Sequence, residues 1–287
     1  MEKYFRVCID KLEFTYSATN EWKEDFAKRE RYNIGGLYFE RKKHCRYYQN
    51  EYSVFYDDYE EERGEFPQFW GYLCYGSSND FRQNVYFLFD NKALYSDLAM
   101  NARYYLEDVL NIEFRYISKL DIAVDFNFKV STCLMKAYKN LDYNLIINDK
   151  CADDSKVDGV GVYAGNNPRK RLFAKPELIF SNSDKSSSLK VYDKRREIDE
   201  SSNKDYIIKD FQHKSVYRAE VSMKNRKIVL GCISACGIDE EYLLCHLLDE
   251  DLLQWLFVKQ TYKLIHFTHR KNRKICDFFS LGFMCLK

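Results

Sequence analysis

The sequence predicts an α+β fold, with a mostly antiparallel sheet, flanking helices and a helical C-terminal part. Three observations predict it. Short runs of alternating apolar and polar residues recur through the first half of the chain, which is the period of a half-buried strand. Other stretches space apolar residues three and four apart, which is the period of a helix. The composition is also rich in Tyr and Phe, at 24 and 21 residues, with only 3 Pro. That balance suits sheets with half-wet faces, where a ring packs while a hydroxyl reaches water. A bias toward AT-rich codons produces the same enrichment.

The elements follow in order. Residues 8–16 read as a strand, with Val7, Ile9, Leu12 and Phe14 apolar among polar neighbours. Residues 20–31 read as a helix, with Trp22 and Phe26 one turn apart. Residues 37–39 and 52–56 are strands, and the acidic run after Tyr56 is a loop or hairpin tip. Residues 69–76 and 85–89 are two aromatic strands around a Gly-Ser-Ser-Asn-Asp turn. Residues 94–110 form a helix through Leu98, Ala102, Tyr105, Leu106, Val109 and Leu110. A strand at 114–128 and a helix at 134–143 follow, and 160–164 is a strand ending in Gly165. Residues 189–192 and 217–223 are strands, and everything after Asp239 reads as helical. Two parts are expected: an α+β domain over 1–235, and a helical, basic segment over 236–287 packed on it.

Length and charge bound the possibilities. The 287 residues suit one large domain, or a main domain with a small appendix. Net charge is +1, so the total argues neither for nor against a nucleic-acid partner. Its distribution is more informative, because seven Lys and Arg lie between Lys259 and Lys287 with a single acid. Residues 57–65 hold six acids. The start Met1-Glu2-Lys3-Tyr4 is charged, so a cytoplasmic protein with reduced thiols is expected despite ten cysteines. No run approaches the roughly 20 apolar residues of a membrane span.

Three segments carry candidate chemistry. In Lys119-Leu120-Asp121-Ile122-Ala123-Val124-Asp125-Phe126, strand periodicity puts Asp121, Ala123 and Asp125 on one face and the apolar residues on the other. Asp is a poor strand former, and two facing one way fit a divalent cation held by hard oxygen ligands. They also fit a wet strand with two harmless acids. In Leu189-Lys190-Val191-Tyr192-Asp193-Lys194, the same periodicity sets Tyr192 between Lys190 and Lys194. A positive field favours phenolate and attracts a phosphodiester, help that a tyrosine nucleophile with a reference pKa near 10 needs. A tyrosine that merely packs at a sheet edge has the same pattern. In Tyr217-Arg218-Ala219-Glu220-Val221-Ser222, Arg218, Glu220 and Ser222 share a face. Glu220 completes a carboxylate set with Asp121 and Asp125, or simply pairs with Arg218 at a surface.

The order of these segments resembles that of replication initiation factors of rolling-circle plasmids and filamentous phages, the Rep_trans-type group. That group carries an Arg-x-Asp-x-Ala-x-Asp strand, a Tyr-x-Lys strand and an Arg-x-Glu strand. The matches are Asp121, Ala123 and Asp125, then Tyr192 and Lys194, then Arg218 and Glu220; Lys119 replaces the first Arg. Gly161-Val162-Tyr163-Ala164-Gly165 also looks like the group's Tyr-x-Gly turn. The resemblance spans about residues 119–223, with a looser match at Ile9-Asp10-Lys11-Leu12.

The resemblance implies a HUH-nickase-like or RRM-like sheet, duplicated or extended. It implies a sequence-specific nickase in which Tyr192, helped by Lys190 and Lys194, attacks origin DNA. The tyrosine becomes joined to a 5′ phosphate and frees a 3′ hydroxyl. It implies a divalent cation, Mg²⁺ or Mn²⁺, with Asp121, Asp125 and Glu220 as candidate ligands; His266 and His269 are read as a helix face or phosphate contact. DNA contacts are expected from Arg169, Lys170, Arg171 and Arg218, and from Arg270, Lys271, Arg273 and Lys274. Expected partners are a replication origin with a single-stranded or cruciform nick site, a host helicase, a host polymerase and a second copy. No Gly-x-x-x-x-Gly-Lys-Ser/Thr loop occurs. Tyr163 and Tyr217 are weaker nucleophile candidates. Two other activities fit the same residues: a non-catalytic DNA-binding regulator, and a carboxylate–metal nuclease acting through water.

Overall fold

The computed structural model describes residues 4–43, 47–56, 68–76, 84–95, 98–140, 142–148, 150–151, 177–201 and 204–276. The expected strand at 160–164, the cluster Arg169-Lys170-Arg171, Tyr163 and the acidic run at 57–65 lie outside the described residues. The fold is α+β with a large antiparallel sheet, as the sequence predicts.

The strands are β1 (Phe5–Ser17), β2 (Arg31–Ile34), β3 (Leu37–Arg41), β4 (Asn50–Tyr56), β5 (Gln68–Tyr75), β6 (Val85–Phe89) and β7 (Glu113–Phe126). They continue with β8 (Tyr143–Ile147), β9 (Lys150–Cys151), β10 (Glu177–Ser181), β11 (Ser187–Asp193), β12 (Tyr217–Met223), β13 (Ile265–His269) and β14 (Ile275–Cys276). The helices are α1 (Asn20–Ala27), α2 (Leu98–Leu110), α3 (Val130–Lys139), α4 (Lys194–Ser201), α5 (Asp205–Phe211), α6 (Arg226–Ala235), α7 (Glu240–Cys245) and α8 (Glu250–Leu264). Among the described residues, no helix is long and apolar enough to cross a membrane.

The chain divides into two compact units, and the division does not fall at the expected 235/236 boundary. The first unit comprises Met1–Cys8, Asp121–Asp239 and Asp249–Lys287; the second comprises Ile9–Leu120 and Glu240–Leu248. β1 and β7 are each divided between the two units, β1 after Cys8 and β7 after Leu120.

In the first unit the sheet runs β10-β11-β12-β7-β1. One side of β11 and β12 is a dry layer of Leu189, Val191, Ala219 and Val221. Helix α8 packs on these two strands and sends Gln260 Nε2 to donate to Ser187 Oγ at 2.7 Å. Its first turn is fixed by Asp249, whose carboxylate accepts from the Leu252 amide at 3.0 Å. Helix α6 lies against α8 and β12. A second sheet, in the order β14-β13-β8-β9, belongs to the same unit. Among the described residues, the C-terminal part is therefore helical only through Leu264, after which the chain passes directly into strand.

In the second unit the strands run β7-β1-β6-β5-β4-β3-β2. Alternation along them buries Phe14, Phe39, Tyr52, Val54, Leu73 and Phe87. Helix α1 closes one end: Trp22 stacks on Phe26 at 4.8 Å, and Phe26 meets Tyr52 at 4.8 Å edge-on. At Gly71 the backbone takes φ +152°, and a Cβ there would lie 2.0 Å from the Leu88 carbonyl oxygen. Only glycine fits that close approach.

Candidate active site

All described parts of the candidate site lie in the first unit. Strand pairing fixes which side chains meet. β11 and β12 place Tyr192 opposite Arg218, Lys190 opposite Glu220 and Ser188 opposite Ser222. Directly opposed residues in an antiparallel pair share a face, so all six project from one side. The Asp121–Phe126 half of β7 adds Asp121 and Asp125 to that side. The sequence-predicted carboxylates and tyrosine thus converge on one sheet face.

The contacts within the cluster define its chemistry. The Tyr192 hydroxyl donates to Glu220 Oε2 at 3.1 Å. Tyr192 is half-buried and Glu220 is 7% exposed. Asp125 is fully buried and accepts a two-pronged clamp from Arg218, Nε to Oδ1 at 2.7 Å and Nη2 to Oδ2 at 2.8 Å. This fork-to-carboxylate geometry is the strong form of an ion pair. Arg6 Nη2 approaches the same Oδ2 at 3.4 Å. Asp121, 1% exposed, accepts from the Ser222 hydroxyl at 2.5 Å.

Lys194 departs from the expected strand face. β11 ends at Asp193, whose carboxylate accepts from the Arg196 amide at 3.0 Å and starts α4. Lys194 is therefore the first residue of a helix. Its ammonium still lies 5.7 Å from the Tyr192 ring centroid, and pairs with Glu197 at 2.7 Å.

Two assigned roles change. Arg218 has 0% exposure and commits its fork to Asp125, so it is a buried clamp rather than a phosphate contact. Asp121, Asp125 and Glu220 do not fit as a cation cage. Both Asp125 oxygens face Arg218, Asp121 holds Ser222, and Glu220 holds Tyr192. Among the described residues, no three His, Cys, Asp or Glu side chains gather where a metal ion could bind.

Arg270, Lys271, Arg273 and Lys274 are exposed. They sit on the turn between β13 and β14 rather than on a helix. The Arg273 amide closes that turn onto the His269 carbonyl at 2.8 Å, with Arg273 at φ +54°. Both histidines are on β13, not a helix face. His266 is buried and stacks on Tyr262 at 4.1 Å; His269 meets Tyr143 edge-on at 5.3 Å.

Arg6 is the site residue missed from sequence. The alternation Phe5, Val7, Ile9 with Arg6 between them was its signal: it sets Arg6 on the face opposite the apolar residues.

No family model matches the chain, and no curated protein matches it. The resemblance to the Rep_trans-type group therefore rests on the quoted motifs. Among solved structures, the chain is similar to a rolling circle replication initiator protein from Geobacillus stearothermophilus, at 14% identity and a TM-score of 0.48. That similarity covers 98% of this chain and 96% of the other.

Proposed function

We propose that this chain is a DNA nickase that starts rolling-circle replication, with Tyr192 as its nucleophile. One observation carries the reading: the Tyr192 phenol is hydrogen-bonded to Glu220 on a sheet face that also bears Lys190. A hydroxyl needs a base to become a nucleophile at neutral pH, and a carboxylate within hydrogen-bond reach is that base. Lys190, half-exposed on this face, draws in a phosphodiester and offsets charge as it builds on the phosphoryl oxygens.

In the attack, the Tyr192 oxygen forms a bond to phosphorus while Glu220 takes the phenolic proton. The bond from phosphorus to the 3′ oxygen breaks, and that oxygen leaves as a 3′ hydroxyl by taking a proton from solvent water. The 5′ phosphate stays on Tyr192. Because Asp125 is engaged by Arg218, no step here runs through an ion; a Mg²⁺ or Mn²⁺ requirement is tested separately. Arg270, Lys271, Arg273 and Lys274 supply an exposed basic tip for duplex backbone.

The decisive measurement is a covalent-adduct assay on supercoiled and single-stranded DNA, with EDTA, Mg²⁺ or Mn²⁺. Tyr192→Phe should abolish the adduct while keeping DNA binding, and Glu220→Gln should slow it by about 10²- to 10⁴-fold, the usual range for a general base. Cutting that survives Tyr192→Phe would identify a nuclease acting through water. DNA binding without cutting under any metal would identify a regulator.

A further inference from the structure

At the N-terminal end of β1, three rings from distant parts of the first unit form a cluster beside the candidate site. Tyr4 packs on Phe211 at 5.4 Å and on His213 at 5.1 Å, and Phe211 meets His213 at 5.0 Å. Phe211 is buried, but Tyr4 is 46% exposed and His213 is half-exposed. The outer rings of the cluster therefore face water.

These rings are held in place. The Tyr4 amide donates to Asn127 Oδ1 at 2.9 Å, and the Asn127 amide donates back to the Tyr4 carbonyl at 3.2 Å. Phe211 ends α5, and Gln212 caps that helix in the left-handed conformation at φ +58°. This cap turns the chain so that His213 returns onto the cluster. Single exposed aromatics need no explanation. A rigid, exposed group of rings is different, because a planar ligand settling on it orders little that is not already ordered.

The cluster is tied to the nucleophile face by charge. The Arg6 guanidinium lies 5.6 Å from the Phe211 ring centroid and also reaches Asp125 at 3.4 Å. From Asp125 the row continues through Arg218 to Tyr192. Arg6, Asp125, Arg218 and Tyr192 thus cross four neighbouring strands, a span of about 14 Å at the usual strand spacing. Lys214, beside His213, is exposed and basic. A planar ring system with a phosphate on either side matches these features: the aromatic face takes the base, and the exposed Lys214 offsets backbone charge.

We infer that Tyr4 and His213, backed by Phe211, form a stacking shelf for an unpaired nucleobase of single-stranded DNA. This rests on the nickase reading for the strand that it holds. About 14 Å corresponds to roughly four stacked nucleotides, or fewer when the strand is extended. The shelf would grip the strand a few nucleotides from the scissile phosphate and fix which phosphate meets Tyr192. Stacking is tolerant of base identity, so the shelf sets position along the strand rather than sequence.

The test uses the full chain with Tyr192→Phe, to prevent turnover, and oligothymidylates carrying one 2-aminopurine at successive positions. The inference expects 2-aminopurine to be quenched at one or two adjacent positions. Tyr4→Ala with His213→Ala should remove the quenching and weaken binding about tenfold, the size of one lost stacking contact. Tyr4→Phe should restore both, which a loss of folding would not allow; Tyr4→Leu, which keeps apolar packing, should not. Unchanged affinity and quenching in the double alanine variant, with an unchanged melting temperature, overturns the shelf. The two readings fail separately. Adduct formation by the unmodified chain with a silent Tyr4→Ala sinks the shelf alone. Tyr4-dependent quenching without any adduct keeps the shelf and sinks the nickase.

Discussion

In the second unit, the residues that the strands turn inward are apolar, and many are aromatic. Phe14 meets Phe89 and Phe114 edge-on at 5.0 and 5.3 Å, and Phe87 meets Phe89 at 4.7 Å. In the first unit, the continuation of β7 turns Asp121 and Asp125 inward instead, and β12 answers with Ser222 and Arg218. Both arrangements are well buried. Rings tolerate small displacements because dispersion and area burial are non-directional. A buried carboxylate does not, because each lone pair needs a donor at a set place. The first unit has accepted a stringent hydrogen-bonding pattern on the face that carries Tyr192. Its Tyr192–Glu220 contact inherits that stringency.

The contrast can be broken by substitution. The largest effect on stability is expected from Arg218→Ala, which strands a buried Asp125 and should cost about 3–5 kcal/mol in urea melts. The paired change Asp125→Leu with Arg218→Met removes both charges of the clamp and should recover part of that loss, the remainder reflecting Arg6, which loses the carboxylate it also reaches. If the pair change is as damaging as the single, the clamp is not electrostatic. Phe87→Leu, in the second unit, should cost only about 1–2 kcal/mol, because neighbouring rings can relax toward the smaller side chain. The smallest effects are expected at helix caps. Thr19 accepts from the Trp22 amide at 3.2 Å in one unit, and Asn225 from the Ile228 amide at 3.1 Å in the other. Alanine at either should cost about 1 kcal/mol by thermal melt. Equal values would show that the units differ in their buried faces and not in local helix chemistry.

What the sequence disclosed follows the same division. Two kinds of strand were legible: β7, β11 and β12 fall where apolar residues alternate with polar ones, and β5 and β6 are short aromatic runs bounded by a Gly-Ser-Ser-Asn-Asp turn. β2 was not legible: the helical reading ends at Arg31, its first residue, and Tyr32-Asn33-Ile34 is too short to show a period. β10 is a run of only three apolar residues, Leu178-Ile179-Phe180, with no alternation to mark it as a strand. β13 was hidden because Leu264-Ile265 extends the apolar spacing of α8 without a Gly or Pro to mark the change. In the site, the shared face of Asp121, Asp125, Tyr192 and Glu220 followed from the period of two. Their partners did not. Which cation reaches Asp125 depends on strand order and on Arg6, and neither is encoded in the spacing of one strand. Lys194 shows the limit of periodicity: the period holds only until Asp193 caps a helix.

The seam between α8 and β13 has a mechanical consequence. Leu264 ends the helix and Ile265 begins the strand, with no residue between; the Leu264 carbonyl is itself held by the Asn148 amide at 3.1 Å. On the helix side of this seam, Gln260 grips Ser187 at the start of β11. On the strand side lies the basic tip at Arg270 to Lys274. A junction with no linker residue leaves little play between the two. A tug on the tip by a bound duplex would reach β11 with little slack, and amide exchange along 256–269 should open and close as a single unit rather than fraying from the hairpin inward.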